Sequence, residues 1–571
     1  MDSLAGGFLM HPIITAKPRD KLLLLGNEAI VRGALEGGLR VAAAYPGTPS
    51  SEIGNLLFQL QRHLPGLYFE FSTNEKVAME VAAAAAASGL RSLTCMKHVG
   101  LNVAADALMT LAYIGVKGGM VIVTADDPFC HSSQNEQDNR YYARLSGLPM
   151  LEPSSPQEAC EMTKYAFELS EKLELPVLLR TTTRVSHARA VVEVGEMAHY
   201  EGSVKGKFEK DPRRWVPVPA VARVRHQILL EKMREAMILT DGSHWNRLYG
   251  KGPRGILVSG VAVNYVLDAV EELNLSEQLE VLALGFTHPH PAGLLTDFLK
   301  DKEIVLVVEE LEPYLEEALR VVAQERNLQV SILGKSTGHL PRLFEFTPGQ
   351  VKEAVARAFG LDYSRPDPPD LSWVPELPPR PPTLCPGCPH RETYRVIKEV
   401  LEELGELPRS IFPTDIGCYT LGLLPPIQMA DYLICMGSSV GSAAGFSVAT
   451  DQRIVSFIGD STFFHAGLSS LANAVYNRHR FTLVIMDNET TAMTGHQPVP
   501  SQELRPPELE DRPRIDLEEV VKALGVSQVV SINPYKKEEA KAVIRPLLEG
   551  EKLAVIVSKA PCILYRARVK R

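Results

Sequence analysis

Residues 453–488 read RIVSFIGDSTFFHAGLSSLANAVYNRHRFTLVIMDN. The apolar run that ends in Gly459-Asp460 has the length of a buried strand. A helix fits Ala466–Tyr476, and Phe481–Met486 is a second buried strand that ends in Asp487-Asn488. Strand, helix and strand in this order make a parallel crossover. Both strands then finish in oxygen-bearing side chains at one sheet edge, where open α/β sheets bind ligands. Asp460 and Asn488 suit a shared hard cation such as Mg²⁺, whose octahedron is completed by phosphates and water. The helix N-terminus after Asp460 adds oriented N–H groups for a diphosphate. Taken alone, the stretch leaves an ordinary βαβ unit with polar strand ends as the alternative.

Working outward, two more segments alternate strand and helix, so the chain reads as α/β throughout. In the first, about Lys21 to Ser186, KLLLLG, RVAAAYP, SLTCM, GGMVIVTADD and PVLLRTTT are predicted strands, with helices over Asn27–Gly37 and Pro156–Lys172. Residues 187–251 carry mixed charge and several prolines and read as a surface connection. The second segment runs from GILVSG at Gly255 through a helix over Asn264–Leu273, then EVLALG, EIVLVVEE and QVSILG. The Pro-dense stretch Tyr363–Thr383 favours extended backbone and marks the clearest boundary. Beyond it DYLICMG, SQVVSI and LAVIVS join the two strands already described.

The chain has 571 residues, enough for three or four domains at roughly 100–200 residues each. Its net charge of −9, without a long basic run, argues against a nucleic-acid partner. No apolar stretch reaches the ~20 residues of a membrane span, and the N-terminus lacks a signal-peptide pattern, so a cytoplasmic protein is expected. Eight cysteines in a chain this long do not make a disulfide framework. Cys385-x-x-Cys388 with His390 invites a zinc reading, but no second such pair completes a four-ligand site. Cys418 and Cys435 read as core or pocket-lining thiols.

Motifs spread along the chain add a specific resemblance. They are AYPGTPSSE (Ala44–Glu52), NEKVA (Asn74–Ala78), YIGVKGG (Tyr113–Gly119), HSSQNEQDNRYYA (His131–Ala143), CPGCPHR (Cys385–Arg391), DIGCYTLG (Asp415–Gly422), CMGSSVG (Cys435–Gly441) and DNETTAMTGHQP (Asp487–Pro498). In this order they resemble the large subunits of the indolepyruvate ferredoxin oxidoreductases, thiamine-diphosphate enzymes acting on 2-oxo acids. The resemblance covers about Lys21 to Cys562. Gly459-Asp460-Ser461, with twenty-six residues before Asn488, is similar to the thiamine-diphosphate motif, with Ser461 where Gly is commoner.

The resemblance implies three doubly wound α/β domains: a pyrimidine-binding domain with its connection over 1–250, a transketolase C-terminal-like domain over 251–362, and a diphosphate-binding domain over 384–571 after the 363–383 linker. It implies thiamine diphosphate and Mg²⁺, with Asp460, Asn488 and the backbone carbonyl of Thr490 as metal ligands. Gly387, Cys388, His390, Gly417, Cys418, Gly437, Ser438, Gly459 and Ser461 would line the cofactor. Glu75 would be the catalytic carboxylate against the aminopyrimidine; local pattern alone also allows Ser72-x-x-Glu75 as a helix capping box. Tyr45 and Thr48 would meet the substrate, with Thr48 also read as helix N-cap and Pro49 as first helical residue. Arg140 would grip the substrate carboxylate bidentately. Lys97 and His98 would line the same cleft; the family often has Gln at the latter position.

Such enzymes oxidise the 2-oxo acid to an acyl-coenzyme A and pass electrons through Fe–S clusters to ferredoxin. A homodimeric core, a smaller partner subunit and a ferredoxin-like carrier are therefore expected. The family's usual ferredoxin-like tail has runs of closely spaced cysteines, and the eight here look scattered. The sequence thus predicts no Fe–S cluster on this chain. Oxidative decarboxylation with clusters on a partner stands beside a non-oxidative decarboxylase or carboligase as the alternative.

Overall fold

In the computed structural model, residues 11–363, 369–378, 380–506 and 509–569 are described. The chain divides into two compact units, Met1–Pro369 and Asp370–Arg571.

The first unit holds two large sheets. One runs Phe286–His288, Met150–Leu151, Val177–Thr182, Met120–Asp126, Ser92–Lys97, Val41–Ala44, Tyr68–Phe71. All neighbours are parallel except the Phe286–His288 edge. The other runs Ser331–Leu333, Ile304–Val308, Arg254–Ser259, Leu279–Leu284, Asn246–Gly250, with only the last strand antiparallel. Buried runs such as Met120–Asp126, with every residue inside, are what a parallel sheet covered on both faces requires. Leu257, Leu282 and Val305 of the second sheet share one apolar core with Val121, Leu178 and Leu151 of the first.

Three expectations for this unit change. Lys21–Leu25 is not a buried strand: it pairs antiparallel with Arg189–Glu193 in a two-stranded ribbon, and Leu23 is exposed. The supposed connection contains a 23-residue helix, Pro219–Asp241, of which only Arg225, Leu229, Ala236 and Thr240 are buried. A helix that buries so little shows no apolar stripe in its sequence. The helix after Tyr45-Pro46-Gly47-Thr48 starts at Ser51 rather than Pro49; the Thr48–Pro49 peptide is cis, and Ser50 turns back onto the Gly47 carbonyl through its N–H (2.9 Å) and hydroxyl (2.8 Å).

The second unit is a four-stranded parallel sheet, ordered Val455–Gly459, Thr482–Asp487, Ala554–Lys559, Gln528–Ile532. Side chains alternate between its faces. Val455, Phe457, Val484 and Ile556 pack with the helices Pro389–Glu403 and Lys537–Glu549. Ile458, Leu483, Ile485 and Val557 pack on the other side, with Ser438–Ala449, Leu468–Tyr476 and Leu517–Ala523. Truncating Phe457 to Ala would cost about 3–5 kcal/mol. DYLICMG is not a strand; Tyr432 makes only a single bridge, to Pro413. Within the Pro-dense 363–383 stretch, 364–368 and 379 lie outside the described residues, and the others form neither helix nor strand. No helix of the described residues is long and apolar enough to cross a membrane.

Candidate active site

In the second unit, Gly459 sits opposite Met486 in the parallel ladder. Asp460 and Asp487 therefore leave the sheet edge side by side, both buried. Asp460 Oδ1 accepts the Ser461 N–H at 2.7 Å, while Oδ2 is buried without a hydrogen-bond partner. Asp487 Oδ1 accepts the N–H of Glu489 (3.2 Å) and the Ser501 hydroxyl (3.4 Å). Burial, then the adjacent Asp487 charge, holds Asp460 well above the ordinary carboxylate range, and burial lifts Asp487 to about 6. Two carboxylates in this position cannot both ionise comfortably unless a cation joins them. The oxygens of Asp460, Asn488 and the Thr490 carbonyl are the donor type Mg²⁺ takes. Asp487 was read only as a strand end; its part in the pair emerges from strand register.

The loop after Asn488 is shaped by its own contacts. Glu489 is left-handed (φ 63°), and its buried carboxylate accepts the N–H groups of Glu503 (3.3 Å) and Leu504 (3.0 Å). Thr490 donates its hydroxyl to the Gln497 carbonyl at 3.1 Å. The Thr491 hydroxyl donates to Ser461 Oγ at 3.0 Å, tying the two strand-end loops together. The helix begins at Asp460 itself, not at Ala466, and passes through a π turn over Phe463–Gly467 before Leu468–Tyr476. Such turns are frequent at functional sites.

Gly417 and Gly459 both abut the ring of Tyr419, where a Cβ would lie 2.4 and 2.6 Å from it. Gly437 is left-handed (φ 88°), and its N–H donates to Asp415 Oδ1 at 2.6 Å; that of Ser439 donates to Oδ2 at 3.0 Å. Asp415, which burial pushes up to about 6, thus already occupies the N-terminus of the helix Ser438–Ala449. Ser438 Oγ accepts the N–H groups of Ile434 and Cys435. Gly437 and Ser438 thus shape the loop that leads into the helix Ser438–Ala449. Sequence reading missed Asp415.

The cysteines supply a larger surprise. Cys385, Cys388, Cys418 and Cys562 line one cavity of about 100 Å³, together with His390, His496 and Asn488. Burial, then the neighbouring thiols Cys388, Cys562 and Cys385, pushes Cys418 up to about 12. Among the described residues no three His, Cys, Asp or Glu side chains form a group that could hold a metal ion; the four thiols line the same cavity. Gly387 makes the left-handed turn of the Cys385-x-x-Cys388 loop (φ 70°), and its carbonyl accepts the Tyr535 hydroxyl at 2.7 Å. Burial draws His390 down to about 4. The Cys562 N–H donates to the Asn488 carbonyl at 2.9 Å, so the thiol cavity and the strand-end loop share a backbone bond.

In the first unit, Glu75 is buried at the first position of the helix Glu75–Ala87. Its cap is Asn74, whose side chain accepts the Val77 N–H at 2.9 Å, and the Ser72 hydroxyl goes to Glu70. Asn74 rather than Ser72 is therefore the N-cap, and no Ser72–Glu75 capping box forms. Tyr45 is buried. Thr48 lines a cavity of about 640 Å³ with Asp127, His131, Arg184, His187 and Tyr265. Lys97, drawn down to about 8 by burial, reaches the Ser132 carbonyl. His98, drawn down to about 4 by burial and then by Lys97, meets Asn135 at 3.1 Å.

Arg140 does not reach that cavity, and its reading as a substrate clamp is corrected. Its side chain is wholly buried, its Nε at 2.9 Å and Nη2 at 2.6 Å from Asp138, and its Nη1 at 2.6 Å from Glu309. Nη2 also donates to the Glu310 and Glu312 carbonyls. The guanidinium is spent on Asp138 and on the loop after the strand Ile304–Val308, so no bidentate face remains for a ligand.

Residues 32–235 match the pyruvate flavodoxin/ferredoxin oxidoreductase, thiamine diphosphate-binding domain, and residues 415–558 match the thiamine pyrophosphate enzyme, C-terminal TPP-binding domain. Together with the strand-end carboxylates, these matches define a thiamine-diphosphate enzyme of the 2-oxoacid oxidoreductase class. Indolepyruvate oxidoreductase subunit IorA of Methanothermobacter thermautotrophicus is 53% identical over 98% of this chain and 90% of its own length. That of Pyrococcus horikoshii is 46% identical over 97% of this chain and 87% of its own. The chain belongs to the indolepyruvate oxidoreductase subunit IorA family.

Proposed function

We propose that the chain is the thiamine-diphosphate subunit of a 2-oxoacid:ferredoxin oxidoreductase that converts aryl pyruvates such as indolepyruvate, with coenzyme A, into the acyl thioester. The balanced reaction releases CO₂, a proton and two electrons, which leave singly for a ferredoxin-like carrier. The names of the relatives support the substrate. The observation that carries the cofactor site is the buried, unpartnered Asp460 Oδ2 beside Asp487.

Mg²⁺ held by Asp460, Asn488 and the Thr490 carbonyl would anchor the diphosphate. Thiamine diphosphate, when bound, supplies the nucleophilic carbon and electron sink that cleavage beside a ketone needs. Glu75, buried at the first position of its helix, would hold a proton at the aminopyrimidine nitrogen. Thr48 would orient the 2-oxo acid in the 640 Å³ cavity, which the buried Arg140 does not face. The reading divides the chain into a pyrimidine-binding region (1–250), a transketolase C-terminal-like region (251–362), a linker (363–383) and a diphosphate-binding region (384–571). The same reading includes a homodimeric core that assembles with a smaller partner subunit in the cytoplasm.

Against the sequence expectation, the reading places a [4Fe–4S] cluster on this chain. Such a cluster takes four thiolates and carries single electrons, and Cys385, Cys388, Cys418 and Cys562 are four thiols around one cavity. Burial raises the Cys388 and Cys418 thiols, so ionising them alone is costly, and bound iron would remove that cost. The same cavity admits Asn488, so an electron acceptor there would adjoin the diphosphate–metal loop. This favours the oxidative over the non-oxidative alternative.

Calorimetric titration tests the cofactor site. Wild-type protein takes up thiamine diphosphate only with Mg²⁺, and Asp460→Ala loses at least ~100-fold in affinity, about 2.7 kcal/mol. Undiminished affinity in the variant refutes the assignment.

A further inference from the structure

We infer that Gly100 is the positioning residue for Glu75: its missing side chain is the slot in which the catalytic carboxylate is held. This rests on the proposed role of Glu75. The helix His98–Val103 follows directly on the strand Ser92–Lys97 and lies against the start of the helix Glu75–Ala87. A Cβ at Gly100 would stand 2.7 Å from Glu75 Oε1, 2.8 Å from Cγ and 3.0 Å from Cδ. The three nearest atoms all belong to that one side chain.

Gly195 and Gly293 likewise face a carboxylate, of Glu36 and Asp241, whereas other close-packed glycines of this unit answer to the backbone. At Gly26, Gly33 and Gly118 the Cβ would strike a backbone carbonyl, of Val185, Cys160 and Leu90. Gly100 also has no left-handed φ to explain it. Inside a helix, Ala is favoured over Gly by about 1 kcal/mol. The sequence forgoes that stabilisation at a buried position, and Glu75 is what occupies the space gained.

The neighbouring helix has little freedom to retreat. Its first carbonyl, of His98, accepts Asn139 Nδ2 at 3.2 Å and Gln137 Nε2 at 3.3 Å, and Asn139 is itself held by Thr124 (2.6 Å) and Asp126 (3.0 Å). A methyl group at position 100 therefore moves the carboxylate, the mobile end of the contact, rather than the helix backbone. Displacement by about 1 Å at a reacting group costs on the order of 100-fold in rate.

The test is Gly100→Ala in the full chain, read by deuterium exchange at C2 of bound thiamine diphosphate, by cofactor affinity and by melting temperature. The expected result is exchange slowed about 10- to 100-fold, with affinity within about threefold and the melting temperature little changed. In the Glu75→Gln background, where exchange is already slow, Gly100→Ala should slow it no further, because the glycine acts only through Glu75. Exchange at the parental rate in folded Gly100→Ala, or an equal further loss on Glu75→Gln, overturns the inference. Normal exchange in Glu75→Gln alone overturns the Glu75 reading, and the inference with it. Should Gly100→Ala fold poorly, Glu75→Ala/Gly100→Ala must melt with Glu75→Ala; a double variant that stays unfolded places the clash elsewhere and refutes the slot.

Discussion

The two units bury charge in opposite ways. In the first, Arg180 lies 2.8 Å from both Asp126 and Glu152, and Arg140 lies 2.6 Å from Asp138 and Glu309. Every one of these acids faces a guanidinium supplied by the chain. In the second, Asp460 and Asp487 face each other, and among the described residues no guanidinium lies against either. Internally paired charge is architecture; buried charge whose counterion must come from outside marks a binding site. On the proposed reading Cys388 and Cys418, whose thiols burial raises, follow the second pattern, with iron as the partner from outside.

That comparison can be broken at several points. The largest effect falls on the thiols. Cys418→Ser should abolish retention of iron and acid-labile sulfide after anaerobic reconstitution, while the wild type retains a cluster that dithionite reduces to an EPR-active state. Full iron content in the variant removes Cys418 from the ligand set.

On the paired side, Arg140→Met strands Asp138 and Glu309 without their partner. A loss of about 3–5 kcal/mol in unfolding free energy is expected, measured by denaturant titration. An Arg140 variant of wild-type stability with a raised KM for the 2-oxo acid would restore the residue to the substrate site.

Smaller still is the effect of Asp487→Asn. A carboxylate lifted by burial to about 6 binds its proton more tightly folded than unfolded. Its ionisation therefore costs stability as pH rises from about 4 through 6, and the cost is complete at pH 7. Removing that charge should stabilise the metal-free protein at pH 7 by about 1–3 kcal/mol and do nothing at pH 4, seen in paired melting curves. Destabilisation at pH 7 would show that Asp487 is paired in the metal-free state.

Much of this was legible because burial writes itself into local sequence. Runs such as RIVSFIG and FTLVIMD are apolar on both faces, which only a covered parallel strand needs, and their polar ends named Asp460 and Asn488 directly. What escaped depends on contacts between distant positions. Cys385, Cys418 and Cys562 are far apart in the chain and look scattered until the fold brings them to one cavity. For Arg140 the sequence leaves a substrate clamp and a surface salt bridge both open, because the hold of Asp138, two residues before it, and of Glu309, just after the strand Ile304–Val308, shows only in three dimensions. The helix Pro219–Asp241 went unseen because it buries too little to pattern its sequence.

Anaerobic turnover of indolepyruvate, with coenzyme A, thiamine diphosphate and Mg²⁺, by the chain assembled with its partner subunit is the most direct test. The account predicts CO₂ and acyl-coenzyme A in step with methyl viologen reduction in the wild type, and loss of viologen reduction in Cys418→Ser. CO₂ accompanied by an aldehyde or a coupled ketone, with the viologen left oxidised by the wild type, would contradict it and establish non-oxidative chemistry.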